Sequence, residues 1–409
     1  MSVRSFVLLA VASAGTLLVA PRPASAQDPA AVAKSVADAP SKPTADLTDD
    51  ELAKFHADRI AGKSADAIAA LENHPAVKAG KKRAIGMLGL MYRDAGRIEE
   101  ANRLALTDAS YKGHCFEMLM FLGWTFPDIE SKPDYTGSRA LFQLALKERP
   151  GNVEAEYGLA RSAALERPSV ESARKLLEFK AKASQLPAHL FDRTAPMTLA
   201  VVADSLIVFG QRDADTLGLL RSAIELDPDQ VDAALVLARE LAAKNDPESE
   251  QILARIEKEH PERNADVMFL RATMAQQAGD ADLALQNAEK ALTLSGRAHP
   301  LALILACELR LAKKELERVR ADIDRLAAMQ SKTPEIEPRV HALYIQYRIA
   351  SAAQRQKPED KLSDLKDAKS HCDKLLAVDA TNPQVLAWVK EIDAEFGHTT
   401  PAPKSGKSL

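Results

Sequence analysis

One pattern repeats from about residue 47 to residue 396. Apolar residues recur every three or four positions, and Gly, Pro, Asn or Asp interrupts them at intervals that suit a helix, a turn and a second helix. The stretch MAQQAGDADLALQNAEKAL, from Met274 to Leu292, has a glycine in the middle and alanines on either side. A helical hairpin of this kind leaves an apolar face that only stacking can bury. We therefore expect an all-α solenoid of antiparallel helix pairs instead of two or three globular domains.

The period of the pattern is close to 34 residues. Pro228 and Pro261 end successive units, and Pro150 occupies the same place in an earlier one. About nine hairpins fit between residues 47 and 396, and WVKEIDAEF, from Trp388 to Phe396, is typical of a terminal capping helix with its charged side chains toward water. The pattern is weaker from Pro300 to Pro383, where helical repeats of another period remain an alternative.

With this period the chain resembles the tetratricopeptide repeat family. Units of that family carry small residues at repeat positions 8, 20 and 27, and Ala272, Ala284 and Ala291 take those positions in one frame. Gly89 and Ala101 take positions 8 and 20 of an earlier unit. The resemblance implies a right-handed superhelical solenoid, in which a small residue on one helix lets the next helix approach closely.

The first residues predict export. Arg4 precedes an apolar run from Phe6 to Ala20, and Ala24-Ser25-Ala26 supplies small residues for cleavage before Gln27. A membrane anchor is the alternative, but the run is short and ends at that triplet. We expect a signal peptide at 1–26, a flexible linker at 27–46, the repeat array with its capping helix at 47–396 and a disordered tail at 397–409, in a protein located in the periplasm or secreted.

Charge and composition disfavour two classes of partner. Removing residues 1–26 takes away two arginines and no acidic residue, so the formal net charge moves from −4 to −6. Nucleic-acid binding needs a basic surface, and the cluster of Lys78, Lys81, Lys82 and Arg83 is more typical of a solvated helix start. No stretch after the apolar leader is long enough to span a membrane.

The sequence contains no recognisable catalytic motif. HExxH, GxSxG, CxxC and phosphate-binding glycine loops are all absent, and we expect no enzyme activity, no cofactor and no metal. The three cysteines, Cys115, Cys307 and Cys372, are far apart within apolar stretches and are predicted to be buried thiols. His114 and His371 each precede a cysteine, but adjacent residues on a helix point about 100° apart and do not make a metal site.

Candidate binding residues come from the family resemblance. It implies that the first helix of each unit lines a concave groove, in which an extended protein or peptide segment would bind. Solvation or packing between repeats is the alternative role for the same side chains. The candidates for partner binding are Tyr157, Arg161, Arg239, Phe269, Thr273 and Gln276.

A second candidate site is the stretch from Met120 to Gly137, the least repeat-like part of the array. We read Gly123 to Gly137 as a long irregular connection carrying Trp124, and long aromatic loops often bind ligands. The alternative is an aromatic plug packed over the neighbouring helices.

Three functions are compatible with these features. The first is an exported scaffold that binds a protein, and the second is an accessory subunit of an envelope machine for export or assembly of polysaccharide or outer-membrane proteins. The third, a helical enzyme acting on cell-wall glycan, would need a further catalytic domain with a buried Glu, and no segment remains to form one. The oligomeric state is not predicted.

Overall fold

The computed structural model describes residues 45–106, 115–129, 133–329 and 333–399. The predicted signal peptide and most of the predicted linker and tail lie outside these residues. Regular secondary structure in the described residues is entirely helical. The helices of the first half are α1 (Asp49–Ile60), α2 (Ser64–Asn73), α3 (Pro75–Lys78), α4 (Lys82–Asp94), α5 (Ile98–Leu106), α6 (Phe116–Ile129), α7 (Tyr135–Glu148), α8 (Val153–Glu166), α9 (Val170–Leu177), α10 (Leu190–Val208) and α11 (Ala214–Leu226). Those of the second half are α12 (Val231–Ala242), α13 (Glu248–Glu259), α14 (Asn264–Gln277), α15 (Ala281–Leu294), α16 (Pro300–Ala312), α17 (Leu316–Met329), α18 (Glu337–Gln354), α19 (Pro358–Val378) and α20 (Pro383–Thr399).

Consecutive helices pack as pairs. The pairs α1–α2, α4–α5, α6–α7 and α10–α11 lie in the first half, and α14–α15, α16–α17 and α18–α19 lie in the second. Counted along the described chain, the longer helices from α1 to α19 make nine successive helix–turn–helix segments, as the sequence predicted. The predicted all-α fold of successive helix pairs is thereby confirmed.

The described chain forms two compact units that divide within α12. The N-terminal unit comprises residues 45–237 and the C-terminal unit comprises residues 238–399. Each unit has its own buried core, with Leu90, Phe121 and Phe142 in the first and Ile345, Leu365 and Ile392 in the second.

Helix starts follow from polar side chains that satisfy free backbone N–H groups. Thr48 and Glu51 form a capping box at α1, and Asn152, Asp213 and Asp280 accept backbone N–H bonds at α8, α11 and α15. Gly279 ends α14 with φ +82°, a left-handed conformation in which glycine carries no steric cost. The stretch from Met274 to Leu292 is therefore the helical hairpin that its sequence predicted.

Small residues mark the close approaches between helices. Ala272, Ala284 and Ala291 are fully buried in the pair α14–α15. At Gly89 of α4, an added Cβ would lie 2.4 Å from the Phe121 ring of α6. Gly89 therefore makes room for the first helix of the following pair, and not, as the sequence predicts, for the second helix of its own pair.

The array ends with α20, which packs on α19. Trp388 and Ile392 are buried, whereas Lys390, Glu391 and Asp393 are exposed. Helix α20 therefore has one face against α19 and a charged face toward solvent, and it is longer than the segment from Trp388 to Phe396.

Candidate functional site

The N-terminal unit contains a buried ion cluster built from distant parts of the chain. Arg59, in the last turn of α1, is 2% exposed and donates from Nε to Asp94 at 2.6 Å. Its two terminal nitrogens donate to the Glu154 carboxylate at 3.1 and 2.8 Å. Trp124 Nε1 also donates to Glu154, at 3.1 Å. Burial opposes the charge on Arg59, but the two carboxylates outweigh it and raise the pKa of the guanidinium, so this side chain stays charged.

The end of α1 also contacts the segment that precedes α10. The Ala188 N–H donates to the Arg59 carbonyl at 3.1 Å, and a Cβ added at Gly62 would lie 3.2 Å from Ala188 Cβ. A cavity of about 140 Å³ remains beside this contact, lined in part by His56, Arg149 and Gln185. The N-terminal unit is thus closed between α1 and residues more than a hundred positions later.

Tyr157 lies inside this closed region, and the expectation that it faces a groove is corrected. Its side chain is 0% exposed, and its ring centroid lies 5.4 Å from that of Phe179 and 5.8 Å from that of Phe191. Its hydroxyl is 2.6 Å from Thr194 Oγ1, and burial raises its pKa to about 12. Tyr157 is a core residue because the segment between α9 and α10 and the start of α10 cover the face of α8 that carries it.

Arg161, one turn further along α8, is partly buried. Its Nε donates to Thr198 Oγ1 at 3.1 Å, and its guanidinium carbon lies 5.9 Å from the Trp124 ring centroid. These contacts tie α8 to α10 and to α6. They leave Arg161 less free to meet a partner than its sequence position suggested.

The prediction of a long aromatic loop from Gly123 to Gly137 is wrong, because most of this stretch is helical. Residues 116–129 form helix α6, and Tyr135 begins α7. Trp124 packs edge-on against Phe142, with the ring centroids 5.1 Å apart, and is buried. The alternative, an aromatic plug between helices, describes this region.

The remaining candidates lie in the C-terminal unit and keep some exposure. Arg239 on α12 is partly buried and donates from Nε to Glu240 at 3.1 Å. On α14, Phe269 and Thr273 are partly exposed and Gln276 is exposed. These three residues are spaced four and three apart, so they share one face of the helix. We call this face, Phe269, Thr273 and Gln276, the C-terminal strip.

Charged groups fix the start of the strip. The Phe269 ring contacts His299 with 4.9 Å between centroids, and His299 Nε2 lies 3.3 Å from Asp266. Arg263 donates to the same carboxylate at 2.6 Å. Burial would raise the pKa of Asp266, but His299 and Arg263 lower it below its usual value. The carboxylate therefore remains ionised and holds His299 against the Phe269 ring.

The strip offers an aromatic ring and an amide, with the Thr273 hydroxyl already donating to the Leu270 carbonyl at 2.7 Å. Such groups bind by contact and hydrogen bonding and do not perform covalent chemistry. Among the described residues no group of three or more His, Cys, Asp or Glu could hold a metal ion. The three cysteines are free; Cys307 and Cys372 are buried, and Cys115 is partly buried.

Sequence reasoning missed two polar clusters. One is the Arg59 cluster, and the other is a contact between His341 and His371 in the last helix pair. The only signal for either was a charged or polar residue at a helical position, which most often means a solvated face.

Neither a protein-family model nor a curated protein matches the sequence. Three solved structures illustrate the fold similarity. Yeast Tom70 is 16% identical with a TM-score of 0.43, over 76% of this chain and 67% of that chain. The Cut9–Hcn1 hetero-tetramer of APC/C is 13% identical with a TM-score of 0.41, over 80% of this chain and 60% of that one. The human IFIT1 dimer with PPP-AAAA is 16% identical with a TM-score of 0.37, over 84% and 85%.

At these identities the similarity concerns fold, and no partner or activity is carried over from these proteins. The helix pairs and their small-residue contacts, as described above, define the fold. No helix among the described residues is long and apolar enough to cross a membrane.

Proposed function

We propose that this chain is an exported, non-enzymatic scaffold that holds a protein or peptide segment on the C-terminal strip. One observation carries the proposal: Phe269, Thr273 and Gln276 lie partly or fully exposed on one face of α14, whereas the corresponding Tyr157 is sealed in the core. A partner can therefore reach the C-terminal strip without any rearrangement of a buried core.

The chemistry of the strip suits a peptide. Phe269 is the proposed anchor because aromatic side chains are enriched at the cores of protein–protein interfaces, and the contact with His299 holds its ring in place. The exposed Gln276 amide can both donate to and accept from a peptide backbone. Arg239, on α12, is a further candidate of a residue type enriched at binding hot spots. The negative net charge makes nucleic acid a poor candidate for the partner.

Export is proposed from the sequence. The run from Phe6 to Ala20 and the Ala24-Ser25-Ala26 triplet support cleavage before Gln27 and a location in the periplasm or outside the cell. A more specific version is an accessory subunit of an envelope machine for polysaccharide or outer-membrane protein export. The identity of a captured partner distinguishes this version from a general scaffold.

The test starts with affinity capture by the mature chain, residues 27–409, from extracts of its own cell envelope. The captured partner is then titrated against purified variants. Phe269→Ala and Gln276→Arg should each weaken binding at least tenfold, since one removes the anchor and the other puts charge and bulk on the exposed end of the strip.

Matched controls lie on α15 of the same hairpin. Leu283→Ala removes an exposed apolar side chain, and Gln286→Arg makes the same exchange as Gln276→Arg on an exposed position. Both controls should bind like the parent. A folded Gln276→Arg protein that binds with parental affinity would contradict the strip as the site, and a captured partner that binds the controls and the strip variants equally would place the site elsewhere.

A further inference from the structure

The last helix pair contains two histidines in direct contact. His341 on α18 and His371 on α19 approach with their Nδ1 atoms 2.9 Å apart, and their ring centroids are 4.9 Å apart. At this distance one Nδ1 donates a proton and the other accepts it, because two bare lone pairs would repel. The contact therefore needs one proton between the two Nδ1 atoms. The donor ring can take a further proton on Nε2 without breaking the contact, but when both rings are protonated two N–H groups face each other.

The pair is enclosed on one side by an aromatic ring. Tyr344 stacks on His371 with 4.7 Å between centroids and 15° between planes. The Tyr344 hydroxyl donates to Asp324 on α17 at 3.0 Å, which fixes the ring. The His341 side chain is only 12% exposed, so water does little to stabilise a second charge.

The charges around the pair do not favour a positive charge on either imidazole. Lys374 on α19 and Arg348 on α18 act against a positive imidazole, whereas Glu337 on α18 and Asp367 on α19 favour it. The Glu337 carboxylate lies 3.7 Å from His341 Nε2 but is mostly exposed, and Asp367 is paired with Arg348 at 3.2 Å.

The third helix packed here, α17, contributes Asp324, which is bound by Tyr344, and Arg320. Burial and Lys374 lower the pKa of His341. Burial and His341 lower the pKa of His371 to about 4.

A metal ion does not explain the geometry. The two Nδ1 atoms point toward each other, whereas ligand lone pairs must converge on a metal. No third His, Cys, Asp or Glu ligand stands with the two histidines, which lie wholly in the described part of the chain.

We propose that the His341–His371 contact is an acid-sensitive joint. At neutral pH the proton between the two Nδ1 atoms ties α18 to α19, and protonation of both rings in mild acid removes the acceptor and separates the rings. Because α20 packs on α19, the end of the array loosens as one piece.

The direction follows from proton linkage. An unfolded histidine titrates near pH 6.5, whereas these two bind a proton less readily in the folded chain. Between pH 6.5 and about 4 the opened state therefore binds more protons than the closed state. Stability of the pair is complete above this window and is lost as the pH falls through it.

Hydrogen exchange followed by mass spectrometry tests the joint in the full chain. Amide exchange of residues 337–378 is compared at pH 7.5 and pH 5 after correction for the intrinsic rate. We expect the opening equilibrium of α18 and α19 to rise roughly tenfold at the lower pH. The variant His371→Gln keeps a hydrogen-bonding group without a titrating charge and should show little rise, whereas the control His260→Gln should behave like the parent.

The proposal would be overturned if the opening equilibrium of His371→Gln rose with acid as much as that of the parent, or if that of the parent did not rise at all. If α18 and α19 already exchange rapidly at pH 7.5 in His371→Gln, the same comparison is made with His341→Gln. Histidine resonances of the parent give a second measurement that needs no variant: both imidazoles should titrate below pH 6.5, the value of an unperturbed histidine, and ordinary titration near pH 6.5 would also overturn the proposal.

Discussion

Arg59 connects three helices through one guanidinium, and its removal would leave two buried carboxylates without their counter-ion. Arg59→Met should lower the free energy of unfolding of the N-terminal unit by about 3–5 kcal/mol, because a buried charge without its counter-ion is costly. Urea unfolding followed by Trp124 fluorescence measures it. The control Arg103→Met breaks only an exposed pair with Glu99 and should cost under about 1 kcal/mol. Equal costs would show that the cluster contributes no more than a surface ion pair.

Glu117 gives the N-terminal unit a second, acid-dependent contribution. Burial would raise its pKa, but His56 and Arg149 beside it lower the value to about 2. The Arg149 bond of 2.6 Å is the firmer contact, since His56 stands 3.8 Å away. A depressed carboxyl pKa contributes stability above pH 4.5, and that stability is lost as the pH falls toward 2.

In the parent, the contribution of Glu117 to the free energy of unfolding should fall by on the order of 1–3 kcal/mol between pH 5 and pH 2.5. Glu117→Gln should be less stable than the parent at pH 7 and should lose less on acidification. Glu99→Gln, at an exposed helix start, is the control and should follow the parent. Acid unfolding of Glu117→Gln along the parental curve would contradict this role.

At the scale of single helices, amphipathic segments were predicted well and fully buried ones were not. The hairpin from Asn264 to Leu294 was evident because its alanines, its central glycine and its polar face each agree with the same frame. The second half of helix α6, from Gly123, is predicted as an irregular connection because the helix is apolar on nearly all sides, which removes the helical periodicity, and because it contains Gly123 and Pro127. Gly123 has a packing reason instead, since a Cβ added there would lie 3.0 Å from the Phe142 ring.

The hairpin frame makes a direct prediction about packing. Ala272→Phe should cost on the order of 1–3 kcal/mol, because the position is fully buried between α14 and its neighbours. Ala254→Phe, at an exposed position on α13, is the control and should change stability little. Thermal unfolding of the C-terminal unit, followed by Trp388 fluorescence, measures both. Parental melting of Ala272→Phe would mean that no helix approaches closely there.

At the scale of the whole molecule, the repeat pattern predicted which helices come first in each pair but not which of their faces stay open. Tyr157 and Phe269 are both first-helix residues that the family resemblance assigns to the groove, yet one is in the core and the other is partly exposed. The difference arises from long-range contacts, above all Ala188 with Arg59, and from the additional segment between α9 and α10. Neither leaves a periodic signal, because a closure of this kind depends on residues more than a hundred positions apart.

The final prediction concerns the whole chain and its export. Protein isolated from its own cells should begin at or near Gln27, because Ala24-Ser25-Ala26 presents small residues to the signal peptidase after the apolar run. Intact-mass spectrometry of the purified protein measures the start. Ala26→Arg puts a long charged side chain at the cleavage position and should accumulate with residues 1–26 attached, whereas the control Ala33→Arg should be processed normally. An uncleaved N-terminus in the parent, or recovery of the parent only with membranes after a salt wash, would contradict cleavage and leave the apolar run as an anchor.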